Sequence, residues 1–365
     1  MHDGCRQVLA SKFPRIPTKD KTVSYLTDPL CLKDYPFWPE AGRYAAPDQP
    51  LDILASGEKY FVKLGAFQEA MEQVQRFVEN DCEVAILAGR PPAILIQGLP
   101  GSGTSSLASY AALRLKEKCI ALAKPGLSFG RIERVKSEDP ARLLDTILEK
   151  ILKHLKDNGV NYKASLEDFL TTDGRLIFPD PPVQATLEKV FTRLVDLVDA
   201  KLPLLILSIG EITWNRRSWM TALRLALDGF PVAFIFLTGH PNVPAIFKAG
   251  EANSPSLAVS VHPFTAADGA SLIEGRIKDL DLRPAKCGQP KGIFPYAAGV
   301  PAYLLPTQSS GHSGQKSPDR EIKSFVRFCH LALRNKEKRM SLPNPPSPEI
   351  TEKDIEEVVR GYGNN

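Results

Sequence analysis

The segment Ile94-Leu95-Ile96-Gln97-Gly98-Leu99-Pro100-Gly101-Ser102-Gly103-Thr104-Ser105-Ser106 concentrates the residue types that could do chemistry in this chain. It reads as an apolar strand, a Gly-x-x-x-x-Gly turn and the first residues of a helix. Glycines let a backbone fold tightly enough for successive N–H groups to converge on one anion, and the helix N-terminus behind them adds partial positive charge. A hydroxyl directly after such a loop stands where it can ligate Mg²⁺; Ser105 occupies that place, with Ser106 beside it. The chemistry on offer is the cradling of a phosphate group. One charge is missing, because a phosphate loop of this spacing ends in lysine and this chain has Thr104.

Nothing else in the chain competes with that segment. There is no HExxH, no CxxC and no histidine pair at helical ligand spacing. Cys5, Cys31, Cys82, Cys119, Cys287 and Cys329 are scattered, which suits isolated thiols in a reducing compartment better than a zinc site or a disulfide framework.

The elements that must position the loop can be read from apolar patterning. Leu204-Leu205-Ile206-Leu207, Val232 to Leu237 and Val259-Ser260-Val261 join Ala93-Ile94-Leu95-Ile96 as candidate strands. Their apolarity is continuous rather than alternating, as in strands buried on both faces, so the sheet should be mainly parallel with helices on each side. Phe67, Met71, Val74, Phe77 and Val78 predict a helix from Lys63 to about Leu87. Leu107 to Leu122, residues 141–158 and residues 183–200 predict three more, and the pattern is helical from about Thr265 onward.

Composition narrows the class. The chain has 365 residues, 43% hydrophobic and 24% charged, which excludes wholesale disorder. No apolar run approaches the ~18 residues of a membrane span, and the first residues lack a signal-peptide core. A net charge of +4 is too small to argue for nucleic acid by itself. The 31 prolines exceed the usual ~5% and gather in a few stretches. Residues 1–58 carry FPRIP, DYPFWPE and APDQP and read as an extended arm with Phe37 and Trp38 as aromatic anchors, one that wraps its own domain or reaches a neighbour.

With these motifs in place the chain resembles an AAA+-type P-loop NTPase of the broad class that includes origin-recognition and STAND-like ATPases. Residues 94–106 resemble Walker A. Residues 204–212, Leu-Leu-Ile-Leu-Ser-Ile-Gly-Glu-Ile, resemble a Walker B strand that in the family ends in Asp-Glu; aligned on Glu211, the aspartate is replaced by Gly210, and Ser208 is the alternative for that slot. Phe236-Leu237-Thr238-Gly239-His240 resembles the sensor-1 strand, with Thr238 facing the phosphate. Gly299-Val300-Pro301 resembles the Gly-x-Pro turn of the helical lid, where an arginine often follows and this chain has Ala302. Ile350 to Ile355 resembles the start of a last lid helix, with Thr351 as its N-cap.

The resemblance implies an α/β fold: a three-layer P-loop NTPase core with a mainly parallel sheet over residues 59–263, then a helical lid over 264–365 with loops at 307–320 and 341–349. It implies ATP or ADP and Mg²⁺ as cofactors, held by Gly98, Leu99, Pro100, Gly101, Ser102, Gly103, Thr104, Ser105 and Ser106, with Ser105 on the metal. Glu211 and Thr238 are the implied catalytic pair. Three charged positions depart from the family: Thr104 for lysine, Gly210 for aspartate and Ala302 for arginine. A hydrogen bond to a charged group is worth about 1.5–3 kcal/mol, so losing the lysine alone weakens nucleotide binding by roughly ten- to a hundredfold. Turnover suffers more, because the same groups stabilise the transition state.

The expectation is an intracellular, cytoplasmic or nuclear pseudo-ATPase with weak or absent nucleotide binding, acting as a regulatory or scaffold subunit on a protein partner or a second copy. The competing reading is a working ATPase with a basic residue supplied from elsewhere in the chain; Arg114, Lys116 and Lys118 after the loop are expected to be solvated. A third is a DNA-associated module, for which Trp214-Asn215-Arg216-Arg217-Ser218-Trp219 and Arg334-Asn335-Lys336-Glu337-Lys338-Arg339 are the basic clusters. Arg276 is expected to be an exposed lid residue, and no arginine finger is identified.

Overall fold

The computed structural model describes residues 30, 32, 36, 62, 64–99, 102–122, 129–135, 140–169, 184–198, 202–210, 223–224, 227–244, 247, 255–279, 282, 292–305 and 322–363. The element order is α1 (Gly65–Asn80), α2 (Cys82–Leu87), β1 (Ala93–Gln97), α3 (Thr104–Leu122), β2 (Phe129–Val135), α4 (Pro140–Asp157), α5 (Gln184–Val195), β3 (Leu204–Ile209), β4 (Val232–Thr238), β5 (Ser256–Ser260), α6 (Ala266–Asp279), α7 (Val300–Leu304), α8 (Ile322–Met340) and α9 (Glu352–Gly363). The single helix expected from Lys63 to Leu87 is two, separated at Asp81, whose N–H still donates to the Phe77 carbonyl.

The five strands form one sheet in the order β2-β3-β4-β1-β5, and every neighbouring pair is parallel. Alternation along each strand sends successive side chains to opposite faces. Ile94, Ile96, Ile206 and Ile235 join a cluster with α1 and α3, while Leu95, Leu207, Phe234 and Phe236 join a second cluster with α4 and α5. Both faces are therefore buried, which explains the unbroken apolar runs and makes the core three-layered.

The edge strand β2, Phe129-Gly130-Arg131-Ile132-Glu133-Arg134-Val135, carries no apolar run and was not expected. Its charges are neutralised locally: Arg131 Nη1 lies 2.6 Å from Asp157 Oδ2, and Lys150 Nζ lies 2.9 Å from Glu133 Oε2, both partners being on α4.

The helical region after β5 is fastened to the core through α6. Its N-terminus is a capping box, in which Asp268 N–H donates to Thr265 Oγ1 (3.2 Å) and Thr265 N–H donates to Asp268 Oδ2 (3.0 Å). The other oxygen of Asp268 accepts from Ala66 N–H at 3.1 Å, joining α6 to the start of α1. Phe264 and Phe325 meet edge to face at 5.5 Å, and the inner sides of α6 and α8 merge with the cluster on the α1/α3 face. Thr351 N–H donates to Asp354 Oδ2 at 2.8 Å, the reciprocal half of a capping box at the start of α9.

Of the N-terminal arm, Leu30 and Leu32 are fully buried in that same cluster. Phe37 and Trp38 lie outside the described residues, as does the loop at 307–320. Cys82, Cys119 and Cys329 are buried free thiols, and burial raises the Cys119 thiol to about 11.

Candidate functional site: the turn after β1

From β1 the chain crosses to the far edge at β2, steps back through β3 and β4, and then passes over β1 to reach β5. The turn after β1 therefore stands where the strand order reverses, at the carboxyl ends of the strands, the place where open α/β sheets hold ligands. Gly98 enters that turn with its N–H donated to the Thr238 carbonyl at 3.0 Å. Gln97 is held from both sides: its Nε2 donates to the His240 carbonyl at 3.1 Å, and its Oε1 accepts from Ser260 Oγ at 3.0 Å. The end of β1 that leads into the loop is thus pinned to both neighbouring strands.

Gly98 has no room for a side chain. A Cβ there would lie 2.5 Å from Thr104 Cγ2, 2.6 Å from Ser102 Oγ and 3.2 Å from Val261 Cβ. The loop folds back on its own start, with the Thr104 methyl and the Ser102 hydroxyl over Gly98. Gly103 supplies the reversal at φ +94°, which side chains disfavour. Its carbonyl accepts from the N–H groups of Ser106 (2.9 Å) and Leu107 (3.0 Å), so α3 starts at once. The helix ladder leaves its first N–H groups, those of Thr104 and Ser105, unspent. Ser102 is only 6% exposed, and its Oγ has no hydrogen-bond partner among the described residues. A buried hydroxyl left unpaired costs about 1–3 kcal/mol, and a phosphate oxygen in the loop would satisfy it. Leu99 is exposed on the outer side; Pro100 and Gly101 lie outside the described residues.

On the neighbouring strands, Thr238 is buried, paired in register with Gln97, and accepts through Oγ1 from His240 N–H at 3.0 Å. Ser208 is half-buried and pairs in register with Arg134 of β2, while Gly210 N–H donates to the Val135 carbonyl at 3.0 Å. Alternation from Ile206 puts Ser208 on the α3 face. Neither Ser208 nor Gly210 is a carboxylate. Glu211 and the Trp214–Trp219 cluster lie outside the described residues. Ser105 and Ser106 are half-buried on the first turn of α3, and Ser105 offers its carbonyl to Ser109 Oγ at 3.2 Å.

These groups fit a phosphate anion: a tight glycine turn, unspent helix N–H groups and a buried hydroxyl. Toward Mg²⁺ the described part of the turn offers hydroxyls, Ser105 among them, and no carboxylate.

Two readings of the sequence change here, and a third point was absent from it. Lys336, offered above as part of a basic cluster for DNA, is buried, with Nζ 2.9 Å from Asp354 Oδ2, and Arg339 also pairs with α9 through Asp354 and Glu357. Arg276 is half-buried rather than exposed. The third concerns a residue that sequence reading missed. Arg134 donates from Nη2 to Ser109 Oγ at 2.7 Å, bringing a guanidinium to α3 one turn after Ser105. Its strand gave no signal in the sequence, so the residue could not be placed. Ala302 is exposed on α7, which starts at Val300 behind Gly299.

This parallel sheet, its switch-point turn and the helical region that follows define the AAA+ type of P-loop NTPase fold. Among solved structures, the ORC1 protein of Aeropyrum pernix in complex with DNA matches with a TM-score of 0.50 at 15% identity, over 85% of this chain and 68% of that one. The fold is thus the one that this ORC1 protein has. The A. pernix ORC2 protein in its ADPNP-ADP complexes (TM-score 0.45, 14% identity, 82% and 68% covered) and Cdc6p from Pyrobaculum aerophilum (0.43, 11%, 82% and 68%) are also similar. No protein-family model and no curated protein matches the sequence. Among the described residues no helix is long and apolar enough to cross a membrane.

Proposed function

We propose that this protein is an AAA+-type nucleotide-binding protein that takes ATP or ADP in the turn formed by residues 98–106, hydrolyses it slowly or not at all, and serves as a regulatory or scaffold subunit inside the cell. The observation that carries the reading is the closed loop over Gly98. Thr104 Cγ2 and Ser102 Oγ occupy the space a Cβ would need, and the buried Ser102 hydroxyl has no partner among the described residues. A turn that served only to join β1 to α3 would gain nothing from a desolvated, unpaired hydroxyl.

The chain's own groups would share the work. The N–H groups at the start of α3 and the Ser102 hydroxyl would bind phosphate oxygens, and Gly98 would let the loop approach them closely. Thr238 would stiffen the turn after β4 beside the loop, through its bond from His240 N–H. Mg²⁺ would supply charge neutralisation and orientation of the phosphates where a carboxylate holds it. Ser208 and Gly210 cannot provide that hold, which argues for slow turnover even if Glu211 polarises a water.

A subunit that binds nucleotide without spending it acts by its shape and surfaces, so the effector activity would belong to a protein partner or another copy of the chain. The pairing of Lys336 and Arg339 with α9 removes two cations from the cluster that suggested DNA binding.

Two assays on the full chain test the reading together. Calorimetric titration should give saturable uptake of ATP and ADP, and single-turnover phosphate release with protein in excess should stay at the no-protein rate. Absence of any uptake by folded protein would refute nucleotide binding. Rapid phosphate release that Glu211→Gln abolishes would refute the pseudo-ATPase and establish the working enzyme.

A further inference from the structure

Three adjacent strands end in polar residues: β4 at Thr238, β1 at Gln97 and β5 at Ser260. The parallel register sets Gln97 between the other two. Leu95, Phe236 and Ala258, two residues earlier on each strand, pack in the cluster with α4 and α5, so alternation places the polar residues on that same face. They form a row across the carboxyl ends of the strands, directly before Gly98.

This row holds the turn after β4 by both backbone groups of one residue. Thr238 Oγ1 accepts from His240 N–H at 3.0 Å, and Gln97 Nε2 donates to the His240 carbonyl at 3.1 Å. On the other side Gln97 Oε1 accepts from Ser260 Oγ at 3.0 Å. The His240 carbonyl fixes which way the amide points, since a flipped amide would set two oxygens against each other. The next residue of the connection, Val261, donates its N–H to the Gln97 carbonyl at 2.7 Å, and its Cβ lies 3.2 Å from where a Gly98 Cβ would stand. The ladder of the sheet is made by backbone groups, so the side-chain bonds of Gln97 are additional to it. They fasten what lies on either side of the turn that begins at Gly98.

We propose that Gln97 is a positioning residue of the phosphate-binding turn: its amide clasps the turn after β4 to the end of β5, and so holds the surroundings of Gly98 in the shape that accepts a phosphate before one arrives. It acts through His240 and Ser260 rather than on the ligand. The assignment rests on the nucleotide-binding reading of residues 98–106. A turn held beforehand loses less freedom on binding, so the clasp is read as affinity.

The test is calorimetric titration of the full chain with ATP, for the wild type, Gln97→Met, Ser260→Ala, the double variant and Gly269→Ala. Methionine keeps the length of the side chain and removes the amide. Gln97→Met should weaken binding roughly three- to tenfold, the range expected for neutral hydrogen bonds lost from the site. Ser260→Ala should weaken it less, and the double variant should bind no worse than Gln97→Met, because both changes open one clasp. Gly269→Ala, which crowds Phe325 between α6 and α8, should melt lower and keep the wild-type affinity, separating positioning from general loss of stability. Wild-type affinity in Gln97→Met, fully additive losses in the double variant, or an equal loss in Gly269→Ala overturns the assignment and leaves nucleotide binding standing. If Gln97→Met does not fold, Ser260→Ala at an exposed position decides, and wild-type affinity there overturns it. No uptake by the folded wild type overturns both readings.

Discussion

Adding one methyl group at Gly98 tests whether the loop is closed as described. In Gly98→Ala the new Cβ would sit 2.5 Å from Thr104 Cγ2 and 2.6 Å from Ser102 Oγ, about an ångström inside the ~3.5–4.0 Å of ordinary carbon contact. Neither neighbour is the end of a long side chain that can swing aside. Thr104 is β-branched at the first residue of α3, and Ser102 is buried in a turn held by its own N–H to the Leu99 carbonyl. The loop must open, at the ~1–3 kcal/mol typical of overpacking. At roughly 2–4 °C per kcal/mol the melting midpoint should fall by several degrees. Opening the loop also spreads its N–H groups, so the rise in midpoint caused by ATP should vanish, because a ligand stabilises only the state it binds. Thr104→Ser deletes the clashing Cγ2, so the double variant should regain at least ~0.5 kcal/mol of what Gly98→Ala loses. Scanning calorimetry of the four proteins, with and without ATP, reads all of this. If Gly98→Ala melts with the wild type and Thr104→Ser changes nothing, the loop is not folded over Gly98.

Other perturbations address the helical region and its ionisable groups. Asp354→Asn leaves Lys336 buried and unpaired and should cost about 3–5 kcal/mol at pH 7, measured by urea denaturation. Burial alone would raise the Asp354 carboxyl, but the Thr351 N–H, the Lys336 ammonium and the Thr351 hydroxyl outweigh it and hold it below its ordinary 3.8. Its contribution is therefore present above that value and lost as pH falls below it, so the gap between wild type and variant should close in acid. His330 is pushed down to about 4 by burial, with Arg334 adding to the effect. The unfolded chain takes up this proton below about 6.5 and the folded chain does not, so stability should fall from pH 6.5 to 4 by up to about 1.4 kcal/mol per unit. His330→Gln should remove that slope. Gly269→Ala places a Cβ 2.9 Å from Phe325 Cε2 and Cζ, at the close approach of α6 and α8, and should lower the midpoint while leaving ATP affinity unchanged.

The buried strands were legible because burial on both faces leaves a continuous apolar run. Ala93 to Ile96, Leu204 to Leu207 and Val232 to Leu237 all fall within observed strands. β5 was caught only in part, as Val259-Ser260-Val261, because serines stand at both ends of Ser256–Ser260 and break the run. β2 was invisible for a physical reason. An edge strand can satisfy Arg131 and Glu133 through α4 and leave Arg134 exposed, so its residues carry no apolar periodicity. With β2 unseen, the approach of Arg134 to α3 could not be anticipated, since it depends on a strand that lies three places from β1 in the sheet. The glycine loop was legible because its chemistry is local. Its missing charge was legible too, because Thr104 stands directly after the last glycine of the turn. The buried state of Lys336 was hidden similarly, because its partner Asp354 comes from the next helix.

Whether this loop binds nucleotide through its fold without its lysine is decided most directly by titrating ATP into the wild type and Thr104→Lys side by side. The account predicts measurable uptake by the wild type and an affinity gain of roughly ten- to a hundredfold in the variant, the lysine adding charge where the loop already converges. Uptake by neither protein, with both folded, would contradict it.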